Sequence, residues 1–120
     1  MDKNWAFDYL VNYFHELFDL QHTSALDEFL DPRYHDDDIG DDNADHIQNS
    51  KEYLAELFAR EPGIRVKVEE VMVRDEVITA FLTWYQLEKG VDQSLYQGVA
   101  VFVMNGNKIA HRHTFIYHKS

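Results

Sequence analysis

Helical periodicity dominates the first half of the chain. Across residues 5–18 the apolar side chains recur in pairs four positions apart, which predicts one wide face of an amphipathic helix. Residues 24–27 match a loose capping box and predict a second, short helix, which the Asp31-Pro32 step ends. Asn49 predicts the cap of a third helix, and Glu61-Pro62-Gly63 predicts its end.

After residue 63 the apolar positions follow a period of two, which predicts strands. Glu69-Glu70 shifts the phase within the first strand and indicates a bulge, and Asn105-Gly106 is the clearest hairpin signal. The predicted strands cover residues 64–73, 77–87, 95–104 and 108–118. Helices followed by hairpin-connected strands predict one α+β domain over residues 1–120, with the helices packed in a strongly curved antiparallel sheet. The open end of such a cone is a natural ligand pocket.

The composition narrows the classes of function. The chain has 120 residues, with 11 Lys and Arg, 22 Asp and Glu and no cysteine, so its formal net charge is −11. An acidic surface repels phosphate backbones, which disfavours binding to nucleic acid and to anionic membranes. The sequence has no cysteine nucleophile, no phosphate-cradling glycine motif and no Gly-x-Ser-x-Gly elbow. No secretory signal or membrane-spanning run is visible, and we expect a cytoplasmic location.

Several local strings are similar to those of one known family. Asn105-Gly106-Asn107-Lys108-Ile109-Ala110-His111 is similar to an Asp-Gly-Lys-Ile-x-Glu hairpin with one residue inserted before the lysine. Arg74-Asp75-Glu76-Val77-Ile78 is similar to a Gly-Asp-x-Val-x hairpin, and Tyr13-Phe14 to an aromatic pair in the first helix. Phe29-Leu30-Asp31-Pro32-Arg33-Tyr34 is similar to a short helix that runs into a short first strand. Over nearly the whole chain these strings resemble the SnoaL-like branch of the nuclear-transport-factor-2-like (NTF2-like) superfamily.

The resemblance implies a cone-shaped α+β barrel with a ligand pocket, and a homodimer formed through the outer face of the sheet. Related folds include isomerases, cyclases, dehydratases and pure binding modules, so the resemblance alone does not select an activity. Tyr117 stands where the polyketide cyclases of the family often place a catalytic aspartate.

The last strand carries the strongest chemical signal. A period of two places Ile109, His111, His113, Phe115 and Tyr117 on one face, and the resemblance implies that this face lines the cavity. A neutral imidazole in an apolar pocket can take or return a proton near pH 7, so we expect His113 to carry the proton, with His111 or Tyr117 as its partner. Two other interpretations are open: these side chains are structural or line a dimer interface, or His111 and His113 bind a metal ion.

The acidic segment at residues 36–45 supplies candidates for a second group of site residues. It does not fit a calcium-binding EF-hand loop, because its glycine and its last residue fall at the wrong positions. We expect Tyr34, His35 and Asp37 near the pocket mouth, with Asp37 as a general base. The sequence leaves open which of Asp36, Asp37 and Asp38 points inward.

The favoured interpretation is binding of a small apolar molecule, with metal-free acid/base catalysis of the isomerase, cyclase or dehydratase type. No cofactor is expected. The alternatives are a non-catalytic dimeric interaction module and a metal-dependent enzyme using His111 and His113, with a third ligand from His35, Asp37 or Asp38. The candidate ligand-binding residues are Tyr13, Phe14, Tyr34, His35, Trp84 and Phe115.

Overall fold

A computed structural model describes residues 1–37, 45–88 and 90–119, with only the backbone of Glu88. Asp38 and most of the predicted acidic loop therefore lie outside the described residues. The helices are α1 (Lys3–Phe14), α2 (Leu26–Phe29) and α3 (His46–Arg60). The strands are β1 (Leu30–Asp36), β2 (Ile64–Arg74), β3 (Val77–Glu88), β4 (Val91–Asn105) and β5 (Lys108–Lys119). The predicted α+β class is confirmed.

The five strands form one sheet in the order β1-β5-β4-β3-β2. Its pairs are antiparallel except β1 with β5, which run parallel. That parallel pair brings the segment after α2 beside the last strand of the chain. The helices pack on one face of the curved sheet, which we call the inner face; the opposite face is the outer face.

The helix ends follow from local hydrogen bonding. The Asp2 carboxylate accepts the N–H of Trp5 at 2.7 Å and caps α1. The predicted cap of α3 at Asn49 is wrong, because Asp45 caps the helix and accepts the N–H groups of Ile47 and Gln48. Asn49 lies inside the helix, where its own N–H bonds to the carbonyl of Asp45. The earlier start adds the buried His46 to the helix, beside the edge strand β1, where its Nδ1 accepts the N–H of Asp36.

The core lies between α1 and the inner face of the sheet. Leu10 and Phe14 of α1 are almost fully buried against Phe102 of β4, whose ring contacts that of Phe14 edge-on. Burial of large apolar side chains of this kind supplies most of the stabilisation of a small domain. The aromatic stripe of α1 therefore belongs mainly to the core.

Bulges in β2 and β5 influence which side chains face inward. The predicted bulge in β2 is confirmed, since the register with β3 shifts between Val68 and Glu70. A second shift, in β5, was not predicted: Met104 pairs with Ile109, but Val103 already pairs with His111. Ala110 is the extra residue, and beyond it the faces of β5 exchange.

Candidate functional site

A cavity of about 380 Å³ opens on the inner face, between α3 and the strands β3 to β5. From β5 it takes Arg112, Thr114, Ile116 and Lys119. The expectation that the odd-numbered positions of this strand line the cavity is wrong beyond Ile109. Because Ala110 forms a bulge, positions 112, 114 and 116 turn inward, the first two beside Phe102 and Ala100 of β4.

A carboxylate and a guanidinium meet at the polar end of the cavity. Asp36 and Arg112 occupy paired positions in the parallel β1·β5 register, and both line the cavity. Asp36 is only 6% exposed, and the Tyr34 hydroxyl donates to its Oδ2 at 2.7 Å. Arg112 also lies over the Phe102 ring, 5.3 Å from its centroid, and its Nε donates to Thr114 Oγ1 at 3.1 Å. Because the Tyr34 hydroxyl donates to it, this buried carboxylate is a fixed acceptor at a defined position.

Two tyrosines adjoin this polar end and stay neutral. Burial raises the pKa of Tyr34, and the nearby Tyr13 adds to the shift. Burial also raises the pKa of Tyr13, which the Arg112 guanidinium beside it opposes. Both phenols therefore remain hydrogen-bond donors throughout the physiological pH range.

The remaining wall is aromatic and aliphatic. Trp84 of β3 and Tyr96 of β4 lie side by side, with ring centroids 5.0 Å apart, and Leu54 and Leu57 of α3 close the opposite side. Burial raises the pKa of Tyr96 to about 12. Adjacent residues of a strand face opposite sides, and here Trp84 lines the cavity and is 5% exposed, whereas Tyr85 is only partly buried.

Three imidazoles surround one carboxylate on the outer face, in a group that we call the outer cluster: His35, Asp37, His111 and His113. His35 Nε2 lies 3.0 Å from Asp37 Oδ1, and His111 Nε2 lies 3.0 Å from Asp37 Oδ2. His113 Nδ1 lies 3.6 Å from the same Oδ2. The contact with His111 is the largest cause that lowers the pKa of Asp37.

The predicted site residues thus divide between two faces. Trp84 lines the cavity. Tyr34 does not line it but donates to Asp36, Tyr13 lies near Arg112, and Phe14 is a core residue. Asp36, and not Asp37, is the carboxylate of the first strand that points inward. The residues on the outer face are His35, Asp37, His111, His113, Phe115 and Tyr117. The catalytic role assigned to His113, His111, Tyr117 and Asp37 stays a prediction, but these side chains do not line the cavity.

The sequence reasoning missed Arg112, Thr114 and Lys119, and it named Asp36 without selecting it. For Arg112 and Thr114 the reason is the bulge at Ala110, which exchanges the two faces of β5; a further register shift, between Gln97 and Gly98 of β4, turns Lys119 inward. Residues 115–117 are all apolar or aromatic, so the hydrophobic pattern does not reveal the exchange. The hairpin register at Asn105-Gly106, extended without a bulge, pairs His111 with buried Phe102 and so gives no sign of the exchange.

The comparisons with known proteins agree with this architecture. The SnoaL-like domain family matches residues 11–112, and the chain belongs to this family. A SnoaL-like polyketide cyclase from Agrobacterium tumefaciens superposes with a TM-score of 0.71 at 15% identity, over 91% of this chain and 88% of that one. The predicted relation to the SnoaL-like branch of the NTF2-like superfamily is confirmed.

Other solved structures share the same fold. TsrD from Streptomyces laurentii superposes with a TM-score of 0.73 at 13% identity, over 98% of this chain and 91% of that one. A loop-truncation variant of IdmH, a protein of Streptomyces antibioticus, gives 0.73 at 13% identity, over 92% and 91% of the two chains. Sequence comparison with curated proteins gave no match. Within the described residues, no helix has the length and apolar content to cross a membrane.

Proposed function

We propose that the chain binds a small, largely apolar molecule in the inner-face cavity and performs acid/base chemistry on it without a metal ion. The observation that carries the proposal is the buried Asp36 beside Arg112 at one end of an otherwise aromatic and aliphatic cavity of about 380 Å³. Cavities of roughly 300–1,000 Å³ with a few convergent polar groups are typical of small-molecule sites.

The charges of the cavity indicate the class of ligand. Arg112 and Lys119 contribute two cations and Asp36 one anion, in a chain whose formal net charge is −11. A locally positive site suits a ligand that carries a carbonyl, enolate or other anionic oxygen at one end. The hydrocarbon part of the ligand would contact Trp84 and Tyr96.

The proposed chemistry is proton transfer next to a carbonyl group. Arg112 donates hydrogen bonds to the ligand oxygen, on which negative charge develops when an adjacent C–H loses its proton. Asp36 accepts that proton and returns it to another atom of the ligand. Solved structures that share this fold and carry the name polyketide cyclase support chemistry on a small organic molecule.

Ligand binding is tested with the anionic fluorophore 8-anilino-1-naphthalenesulfonate, whose emission rises in an apolar site. Ile116→Asp places a charge in the cavity wall, whereas Phe115→Asp places the same charge on the outer face. We expect the first variant to weaken binding at least tenfold and the second to leave it unchanged. Equal affinity of both variants and the wild type would overturn the proposed cavity site.

The acid/base part is tested with 5-nitrobenzisoxazole. A base removes its C–H proton, the electron pair forms the nitrile, and the N–O bond breaks to release a phenolate. We expect Asp36→Asn to reduce the protein-dependent rate at least tenfold, and Asp37→Asn, its neighbour on the outer face, to leave the rate unchanged. A rate unaffected by Asp36→Asn would contradict this role.

We also propose that the chain is one domain and forms a homodimer in the cytoplasm. Phe115 and Tyr117 are 58% and 60% exposed on the outer face, and large exposed aromatic side chains favour association. Native mass spectrometry tests the dimer: a twofold mass that falls to the monomer mass in Tyr117→Asp supports it, and a monomeric wild type contradicts it.

A further inference from the structure

The outer cluster lies outside the proposed cavity site and combines four potential metal ligands. We propose that His35, Asp37 and His111 bind one divalent transition-metal ion, with Zn²⁺ as the best match, and that His113 is placed to become a fourth ligand. The ligand atoms of the first three residues all lie within 4.8 Å of one another. Imidazole nitrogen and carboxylate oxygen are ligands that Zn²⁺ prefers.

The separations between donor atoms suit one small ion. Tetrahedral Zn²⁺ with bonds of 2.0–2.1 Å places its ligand atoms about 3.3 Å apart. The carboxylate oxygens of Asp37 lie 3.0 Å from His35 Nε2 and 3.0 Å from His111 Nε2. Asp37 Oδ2 lies 3.6 Å from His113 Nδ1. These distances, to the two oxygens of Asp37, lie close to the tetrahedral value.

The backbone holds the ligands in this arrangement. His35 and His111 are direct partners in the parallel β1·β5 register, so their side chains project together from the outer face. The N–H of Asp37 donates to the carbonyl of Arg112 at 3.1 Å and keeps the carboxylate beside β5. A site built on paired strands needs little ordering of the chain when the ion binds.

A buried neighbour orients one of the ligands. The ring of His46 lies 4.5 Å from the ring of His35, centroid to centroid, and is tilted by 33°. His46 is only 6% exposed, and its Nδ1 accepts the N–H of Asp36 at 3.1 Å. Packing against this fixed ring restricts the rotamers of His35 and keeps its Nε2 directed toward Asp37.

The exposure of the outer cluster and the charge of the chain also suit the binding of a metal ion. The side chains of His35, Asp37 and His111 are each about two-fifths exposed, so an ion can enter, and a water molecule can fill a remaining coordination position. One carboxylate neutralises half of the ion's charge, and the formal net charge of −11 favours uptake of a cation.

Isothermal titration of the untagged, chelator-dialysed chain with Zn²⁺ tests the inference. We expect one equivalent to bind, and His111→Ala to weaken the affinity at least tenfold. His22→Ala is the matched control, because His22 also faces a carboxylate, Glu16 at 3.2 Å, but does so on the surface near α1. This control should bind as the wild type does.

Two further measurements distinguish the loss of a metal ligand from the loss of the fold. His35→Gln should weaken Zn²⁺ binding as His111→Ala does, and circular dichroism reports whether each variant is folded. Co²⁺ should give the visible absorption of a tetrahedral complex in the wild type and lose it in Asp37→Asn. The mass of each protein is measured in the same samples, because Phe115 and Tyr117, the proposed dimer contacts, lie on the same face of β5. Metal binding is then compared at one oligomeric state.

Absence of Zn²⁺ uptake by the wild type would overturn the inference. So would uptake that is unchanged in both His111→Ala and His35→Gln, or equally reduced in His22→Ala. The fluorophore titration of the inner cavity is independent of these outcomes, because the outer cluster and the cavity lie on opposite faces of the sheet.

Discussion

Neighbouring residues take opposite roles in this protein because a strand alternates its faces. Asp36 points into the cavity and receives the Tyr34 hydroxyl, whereas Asp37 lies among imidazoles on the outer face. Likewise, Arg112 lines the cavity, whereas His111 lies beside Asp37 on the outer face. A shift of one residue in either strand would exchange the two groups, so the chemistry of each face depends on register.

At this scale we predict that Asp37 stabilises the fold in a pH-dependent way. Because contact with His111 lowers the pKa of Asp37 in the folded state, its contribution is present above the unfolded value of about 3.9. It is lost as the pH falls through the lower folded value. Urea unfolding between about pH 5 and pH 2 should therefore show a smaller loss of stability in Asp37→Asn than in the wild type.

His111→Ala provides the matching variant, since it removes the largest cause of the shift. Like Asp37→Asn, this variant should lose less unfolding free energy than the wild type does as the pH falls. If the curves of both variants run parallel to that of the wild type, the contact does not stabilise the carboxylate.

At the scale of elements, bulges decide how β4 and β5 present their side chains. The register of β4 with β5 shifts between Val103 and Met104, and again between Gln97 and Gly98. At the second shift the strands approach so closely that a Cβ on Gly98 would lie 2.4 Å from the carbonyl oxygen of Phe115. Glycine is therefore required there by space.

We predict that Gly98→Ala destabilises the protein by about 1–3 kcal/mol, the usual cost of forcing extra atoms into a packed region. The added methyl would also meet Trp84 at 3.0 Å. Gly63→Ala is the control, because its nearest contacts are 3.4 Å, an ordinary van der Waals distance. It should change the free energy of unfolding, measured in urea, by no more than about 0.5 kcal/mol. Equal effects of the two substitutions would contradict the close approach.

At the scale of the whole molecule, the sequence predicted the architecture better than the site. The period of two after residue 63 and the Asn105-Gly106 turn predicted the strand order β5-β4-β3-β2, because hairpins place consecutive strands side by side. The family resemblance supplied the short first strand. The parallel pairing of that strand with β5 joins residues more than seventy positions apart, and no local pattern predicts its register.

Two features that no local pattern predicts determine the candidate site: the β1·β5 register and the bulge at Ala110. The β1·β5 register selects Asp36 over Asp37, and the bulge at Ala110 selects Arg112 over His111. Neither selection changes the hydrophobic pattern, because the side chains concerned are polar and the end of β5 is apolar on both faces. The histidines were correctly identified as unusual, but the bulge directs them to the outer face.

The absence of cysteine from the chain allows the most direct test of this arrangement. Thr114→Cys and His113→Cys place single thiols at adjacent positions of β5, on the inner and outer faces respectively. The measurement is the rate at which iodoacetamide alkylates each thiol, with and without bound 8-anilino-1-naphthalenesulfonate. We predict that the bound fluorophore slows the reaction at position 114 and leaves that at position 113 unchanged. Protection of position 113 with none at position 114 would contradict the bulge, the orientation of β5 and the proposed cavity site together.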